Sequence, residues 1–281
     1  MCIRRSFPGK VHSGGYMNNK LKQILANGKP AIGSWIGFSD PYAVEMMADV
    51  GFDWLLIDME HFPMSKETLR TILMACKGSD SVPVVRVPVN SIDYIQAALD
   101  LGAQGVMTPM TNSAENAKRA VEFCHYPPMG RRGFGPIRAS RYFQDTERYR
   151  REANGEIALF VQIETPEAVG NAHEILGVAG IDGAFIGNGD LANFMNHGQP
   201  GSEAVQEVVD RLIEMAGKIS MPIGLPTWSQ QECNQYVQRG AQLLTIGSDM
   251  GFLGNKARGD LSKVRASLET AKQGLVESYK K

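Results

Sequence analysis

The sequence predicts a closed, parallel (β/α)8 barrel of the TIM type, and three observations carry that prediction. A glycine-led strand signature recurs four times, a second kind of strand lies between the recurrences, and an amphipathic stretch of helical period follows each strand. The recurrences are Gly51-Phe52-Asp53-Trp54-Leu55-Leu56-Ile57, Gly102-Ala103-Gln104-Gly105-Val106-Met107, Gly180-Ile181-Asp182-Gly183-Ala184-Phe185-Ile186 and Gly240-Ala241-Gln242-Leu243-Leu244-Thr245-Ile246. The leading glycine ends a helix in the left-handed conformation, which glycine alone adopts cheaply. The apolar run after it is short and does not alternate, as expected of a strand buried on both faces.

Taken in order, strands fall at 30–35, 54–57, 83–87, 105–107, 157–163, 183–186, 222–225 and 243–246. The helices that follow them fall at 40–50, 65–77, 91–101, 113–124, 166–177, 201–219, 228–239 and 252–275. Eight alternating units pair economically only in parallel, with helical crossovers. The 281 residues match a single barrel of about 250. No Gly-x-Gly-x-x-Gly follows the first strand, which argues against an open dinucleotide-binding sheet.

The recurrences are spaced 51, 78 and 60 residues apart, so the longest interval holds one additional segment. It is the Pro-, Gly- and Arg-rich stretch 125–156 after the fourth helix, too long for a neutral connection. Its start, Gly130-Arg131-Arg132-Gly133-Phe134-Gly135, precedes no helix at phosphate-binding spacing, and the segment reads as a lid over the site or a subunit contact. The last helix continues past Gly254 to Ser278, longer than barrel closure needs. Residues 1–16 carry Arg4-Arg5 with no apolar segment behind them and read as a flexible leader, leaving 17–281 as one domain.

Composition excludes several classes. With 29 basic and 30 acidic residues the net charge is -1, which offers no footprint for nucleic acid or an anionic membrane. No apolar run approaches the ~18–20 residues of a membrane span. The four cysteines, Cys2, Cys76, Cys124 and Cys233, show neither a Cys-x-x-Cys pair nor zinc spacing. They read as reduced thiols of a cytoplasmic protein.

Chemistry on such a barrel sits at the C-terminal ends of the strands. There the sequence supplies Asp58-Met59-Glu60-His61 after the second strand, Arg86 in the third, Thr108-Pro109-Met110 after the fourth and Gln162-Ile163-Glu164 in the fifth. Gly187-Asn188-Gly189-Asp190 follows the sixth and Ser248-Asp249 the eighth. Arg86 and Glu164 stand among apolar neighbours, where a charge must be paired or bound. A structural ion pair between them is one reading; the convergence of six polar ends on one face favours a site. Glu164 and Asp190, from adjacent strands, would either share a proton or hold a cation. Oxygen-only ligation suits Mg²⁺ or Mn²⁺ and admits Co²⁺. His61, beside an arginine and a metal, has the near-neutral pKa range a general base needs. His125 and His197 are read as lying in loops on the same face. No lysine stands at these strand ends, which disfavours a Schiff-base route.

Together these segments resemble the HpcH/HpaI aldolase family of the phosphoenolpyruvate/pyruvate barrels, from about Lys20 to Leu253. The marks are Gly33-Ser34-Trp35, Asp40-Pro41, Gly51-Phe52-Asp53-Trp54, Ile57-Asp58-Met59-Glu60-His61, Arg86-Val87-Pro88, Tyr126-Pro127-Pro128, Arg132-Gly133-Phe134-Gly135, Gln162-Ile163-Glu164-Thr165 and Gly187-Asn188-Gly189-Asp190-Leu191. The resemblance implies a class II, metal-dependent aldolase that cleaves a 4-hydroxy-2-oxo acid into pyruvate and an aldehyde. In it Glu164 and Asp190 are the ligands of a divalent metal cation, Arg86 holds the keto-acid oxygens and His61 is the acid/base residue. Gln162 lies beside the substrate, and Asp58 and Glu60 organise water. Decarboxylation of oxaloacetate or lysis of a CoA ester are the alternative reactions on the same pyruvate enolate. The resemblance also implies a homo-oligomer, hexamer or trimer, that exchanges its last helix, with Asp100 of a neighbour approaching His61. Two departures, Asn188-Gly189 with Ala192 in place of a proline and a serine, and Thr108 before Pro109, bear on substrate preference.

Overall fold

The computed structural model describes residues 18–195 and 198–278. Its strands are β1 (Ala31–Ile36), β2 (Trp54–Asp58), β3 (Val82–Arg86), β4 (Gly105–Thr108), β5 (Ala158–Ile163), β6 (Gly183–Ile186), β7 (Ile223–Thr227) and β8 (Leu243–Ser248). They pair in sequence order, all parallel, and β8 returns to β1 to close the barrel. The helices are α1 (Lys20–Ala26), α2 (Pro41–Asp49), α3 (Lys66–Ala75), α4 (Ile92–Asp100), α5 (Ala114–Cys124), α6 (Thr146–Glu156), α7 (Pro166–Gly170), α8 (Ala172–Leu176), α9 (Asn188–Phe194), α10 (Glu203–Lys218), α11 (Gln230–Gln238) and α12 (Asp249–Ser278). Every predicted strand and helix is present within a few residues, except that 166–177 divides at Asn171 into α7 and α8. Three helices, α1, α6 and α9, are additional to the sequence prediction. The leader 1–16, with Cys2, and His197 lie outside the described residues.

The four-fold signature is a structural joint. Gly51, Gly102, Gly180 and Gly240 all take the left-handed conformation, with φ of 100, 96, 99 and 102°. Two residues later the backbone N–H of Asp53, Gln104, Asp182 and Gln242 donates to a carbonyl of the preceding strand or its start, Ile32, Pro83, Leu159 and Ile223. The Asp53 and Asp182 carboxylates also accept from the Ile32 and Leu159 N–H groups, at 2.8 and 2.9 Å. The polar residue in each repeat therefore leads into a strand, and the Asp53 and Asp182 side chains serve the barrel floor rather than catalysis.

Strand alternation sorts side chains into two layers. Trp54, Leu56, Val82, Val84, Met107, Ala158, Phe160, Phe185 and Leu243 fill the barrel interior, while an outer shell joins strands to helices. Trp54 fits because its neighbour Gly33 has no side chain: a Cβ there would meet the indole at 2.6 Å. Short α1 seals the N-terminal end of this interior, burying Leu21 and Leu25 in the same cluster. The Asn19 amide donates to the Gln104 and Glu156 carbonyls, both at 2.8 Å, and tethers the seal to the rim.

The segment 125–156 departs from its expected position. It follows a helix and leads into β5, so it lies at the N-terminal end of the strands and cannot cover the mouth of its own barrel. Arg138 donates to the carbonyls of Leu101 and Leu73, at 2.5 and 2.9 Å, and Arg132 to the Asp100 carboxylate at 2.6 Å. These contacts clamp the segment to the ends of α3 and α4, and α6 completes it. His125 shares this location: it is buried, with its Nδ1 2.9 Å from the Val121 carbonyl, and burial lowers its pKa. Cys76, Cys124 and Cys233 are free and buried, and burial pushes the first two thiols up to about 12. Among the described residues no helix is long and apolar enough to cross a membrane.

The seal makes a stability prediction. Leu21 is fully buried in the inner layer, so Leu21→Ala should cost about 2–4 kcal/mol in urea unfolding. Lys29→Ala, exposed in the turn after α1, should change it by less than about 0.5 kcal/mol.

Candidate active site

The mouth of the barrel is built around Arg86. The β2–β3 register places Asp58 directly beside it, and on both strands these are the inward positions that continue Trp54, Leu56 and Val82, Val84. The Arg86 Nε donates to Asp58 Oδ1 at 2.9 Å and Nη2 to Oδ2 at 2.6 Å, a two-point pair with both residues buried. Nη1 lies 3.1 Å from Glu60 Oε2. The guanidinium carbon stands 4.5 Å from the centre of the Trp35 ring, whose Nε1 donates to Thr245 Oγ1 at 2.9 Å. The alternative of an Arg86–Glu164 ion pair is thereby corrected: the paired carboxylates are Asp58 and Glu60.

Asp58 does more than neutralise the arginine. Its Oδ1 also accepts from the backbone N–H groups of Glu60 and His61, at 3.0 and 3.4 Å. Both carboxylate oxygens are therefore engaged, and the turn that presents His61 is fastened to the same group. The His61 side chain is 57% exposed at the mouth, with Nε2 3.9 Å from Glu60 Oε2. Burial raises the pKa of Glu60, opposed chiefly by the charge of Arg86. The arginine keeps one unengaged N–H on each terminal nitrogen, the geometry that grips a carboxylate or a keto acid.

Facing this group are the residues of β5 and the segment after β6. Glu164 follows β5 directly, buried, and accepts the Met110 N–H on Oε1 at 2.6 Å. Asp190 stands not at a strand end but in the first turn of α9, half-buried. Burial, with the negative charges of Glu60 and Asp190, pushes the Glu164 carboxyl up to about 7 against the Met110 hydrogen bond. Gly187 leaves the space Glu164 needs: a Cβ there would lie 2.7 Å from its Oε2 and 2.8 Å from Gln162 Nε2. Gln162 is buried beside it, and its Oε1 makes no hydrogen bond.

These features fit a divalent cation held by few protein ligands. A buried carboxyl whose pKa is raised by burial and by neighbouring carboxylates, as at Glu164, is what a cation relieves. Among the described residues no group of three or more His, Cys, Asp or Glu side chains could hold a metal ion. A closed zinc-type cage is therefore not built, whereas two carboxylates with water and substrate suit a hard cation such as Mg²⁺.

All sequence-predicted site residues, Asp58, His61, Arg86, Gln162, Glu164 and Asp190, thus collect at one end of the barrel. Asp100 is elsewhere: it closes α4 at the opposite end, paired with Arg132. Sequence reasoning missed the supporting roles of Trp35, Met110 and Gly187. Strand parity was the available signal for Trp35, an inward position of β1 one residue pair above Gly33. Glu164 also yields a pH prediction. A cation that takes Glu164 as a ligand would have to displace its proton below about pH 7, so Mn²⁺ affinity should then rise about tenfold per pH unit up to about 7 and flatten above. Calorimetric titration across that range measures the slope, which Glu164→Gln should remove.

Comparison with known proteins identifies the family. Residues 31–255 match the family model described as HpcH/HpaI aldolase/citrate lyase. The 4-hydroxy-2-oxo-heptane-1,7-dioate aldolase of Klebsiella pneumoniae is 40% identical, over 86% of this chain and 92% of the relative. The hydroxypyruvate/pyruvate aldolase of Roseovarius nubinhibens is 38% identical, over 88% and 97%. The crystal structure of a family protein from Burkholderia cenocepacia superposes with a TM-score of 0.85 at 31% identity, covering 88% of this chain and 100% of that one. The chain belongs to the HpcH/HpaI aldolase/citrate lyase family.

Proposed function

We propose that the barrel mouth carries out a reversible class II aldol reaction, cleaving a 4-hydroxy-2-oxo acid to pyruvate and an aldehyde. One observation carries the reading: a buried, two-point-anchored Arg86 faces the Glu164/Asp190 carboxylates, with His61 exposed at the rim. Glu164 and Asp190 would hold the divalent cation, Mg²⁺, Mn²⁺ or Co²⁺, which when bound supplies Lewis acidity toward the keto oxygen.

The remaining work falls to side chains of this protein. Arg86 uses its free N–H groups to grip the substrate carboxylate and to balance negative charge as it develops on the keto oxygen. Its anchoring by Asp58 and Trp35 means that this charge is oriented before substrate arrives. Gln162, with its amide beside Glu164, contacts the substrate flank. Asp58 acts as a positioning residue, because its oxygens are already engaged. His61 removes the proton of the 4-hydroxyl as the C3–C4 bond breaks. The bonding pair passes to C3 and on toward the keto oxygen, the aldehyde leaves, and a proton delivered to C3 gives pyruvate. Addition runs the same steps in reverse.

A homo-oligomer, hexamer or trimer, is part of the same proposal. On α12 the residues Leu253, Leu261, Val264 and Leu268 recur at helical spacing and are exposed, a stripe suited to another subunit. Static light scattering should return a mass several times the 30.7 kDa of one chain. A fully active monomer contradicts it. A cytoplasmic location accords with the three buried free thiols.

His61→Ala separates the steps. Loss of the base should reduce retro-aldol cleavage by at least ~10²-fold. Decarboxylation of oxaloacetate, which needs an electron sink but no hydroxyl deprotonation, should persist at most of its rate. Both activities are followed by pyruvate release in the presence of Mg²⁺. Equal losses in the two reactions would mean that His61 positions substrate instead, and no pyruvate from any 4-hydroxy-2-oxo acid with the unaltered enzyme would overturn the function.

A further inference from the structure

Glu164 is buried at the end of β5, yet its carboxylate is held by a single backbone donor from another strand. That donor, the Met110 N–H, belongs to a residue in the left-handed region, with φ of 49°. Side chains other than glycine enter this region reluctantly, because Cβ crowds the following carbonyl oxygen. Packing does not explain the choice, since the Met110 side chain is 44% exposed. The other described non-glycine residues with positive φ, Arg141, Tyr142, Phe143 and Ser220, lie in turns at the opposite end of the barrel. Met110 alone among the described residues combines this conformation with a contact to the candidate site.

The local sequence explains how the turn is made. Pro109 has no N–H, so the first backbone donor past β4 is Met110 itself. The next one, on Thr111, reaches the Gln162 carbonyl at 3.3 Å, and the Thr108 and Thr111 hydroxyls meet at 3.3 Å to close the turn. Both donors thus point across to the end of β5, one to Gln162 and one to Glu164. On the far side of Glu164, Gly187 leaves room for Oε2, which a Cβ there would meet at 2.7 Å. Oε1 is fixed by a hydrogen bond and Oε2 is left available.

We propose that Met110 is a positioning residue whose left-handed backbone locks Glu164 so that one carboxylate oxygen is presented to a divalent cation. The proposal rests on Glu164 being a cation ligand. It assigns the role to the peptide N–H and not to the thioether side chain, so substitutions should sort by backbone preference and not by size or polarity.

The test is the Mn²⁺ affinity of the full-length protein, measured by electron paramagnetic resonance of free Mn²⁺, with far-ultraviolet circular dichroism as the check on folding. Met110→Gly and Met110→Asn enter the left-handed region readily and should bind within about twofold of the unaltered protein. Met110→Val and Met110→Thr are β-branched and resist it, so the peptide should rotate away. Loss of a hydrogen bond to a charged group should then weaken Mn²⁺ binding at least about tenfold. Thr serves if Val does not fold, and Met110→Gly should in addition raise the thermal midpoint. Wild-type affinity in the folded β-branched variants, or equal weakening in all four, overturns the proposal. Glu164→Gln separates the two layers: if it abolishes binding while the β-branched variants bind normally, the positioning role alone fails. If Glu164→Gln binds Mn²⁺ as before, the ligand reading fails and the positioning role falls with it.

Discussion

A full positive charge inside the mouth of a barrel is the condition to which the rest of this site answers. Arg86 is 4% exposed, and an unpaired charge at that depth would not survive folding. Its stability comes from the β2–β3 register, which sets Asp58 across from it at two-point hydrogen-bonding distance, and from the Trp35 face beneath. The planar fork of an arginine is what makes this arrangement useful. One edge is spent on Asp58, and the terminal N–H bonds that remain are aimed in a fixed direction. A lysine in this place would carry the charge without the direction.

The opposite wall poses the complementary problem. Asp58, Glu60, Glu164 and Asp190 together outnumber the single guanidinium, and burial first, with this surplus adding to it, raises the pKa values of Glu60 and Glu164. Such a surplus is costly in a buried site, and under the proposed function a divalent cation would relieve it. Glu60 links the two walls: its Oε2 faces Arg86 and approaches His61, so a change of charge on either side is felt at the rim. Binding of cation and of an anionic keto acid are therefore expected to favour each other, since each reduces an imbalance that the other leaves.

Much of this was legible in the sequence because the physics that writes it is local. A left-handed glycine after each of four helices, followed by a run without alternation, has few other readings, and all four glycines take the expected conformation. The site residues were legible because charged groups among valines and isoleucines need a reason. Pairing was less legible. Arg86 could be matched with any carboxylate until the strand register chose Asp58 over Glu164. Helix α1 was missed because seven residues are too few to display a period, and its two buried leucines find their partners inside the barrel. Of the two readings of segment 125–156, the lid fails on chain parity, since a connection from a helix to the next strand lies opposite the catalytic face, and the subunit contact is unaffected. The Met110 conformation leaves no mark in composition or pattern.

The two ends of the barrel consequently carry different kinds of constraint. At the N-terminal end, Asn19, Asp53, Asp182 and Arg138 spend their polar groups on main-chain carbonyls and N–H groups, and Arg132 pairs with Asp100 while its Nε and Nη1 stay buried without partners. At the C-terminal end, Gln162 Oε1 is buried without a donor, Glu60 shares Arg86 with Asp58, and Met110 is held in a conformation its side chain does not favour. Unsatisfied atoms and strain cost stability, and they persist only where the surrounding frame is rigid enough to enforce them. The hydrogen bonds of the floor hold the strands in the register on which the mouth is built, so the strain at Met110 and the buried Arg86 charge both rest on that frame.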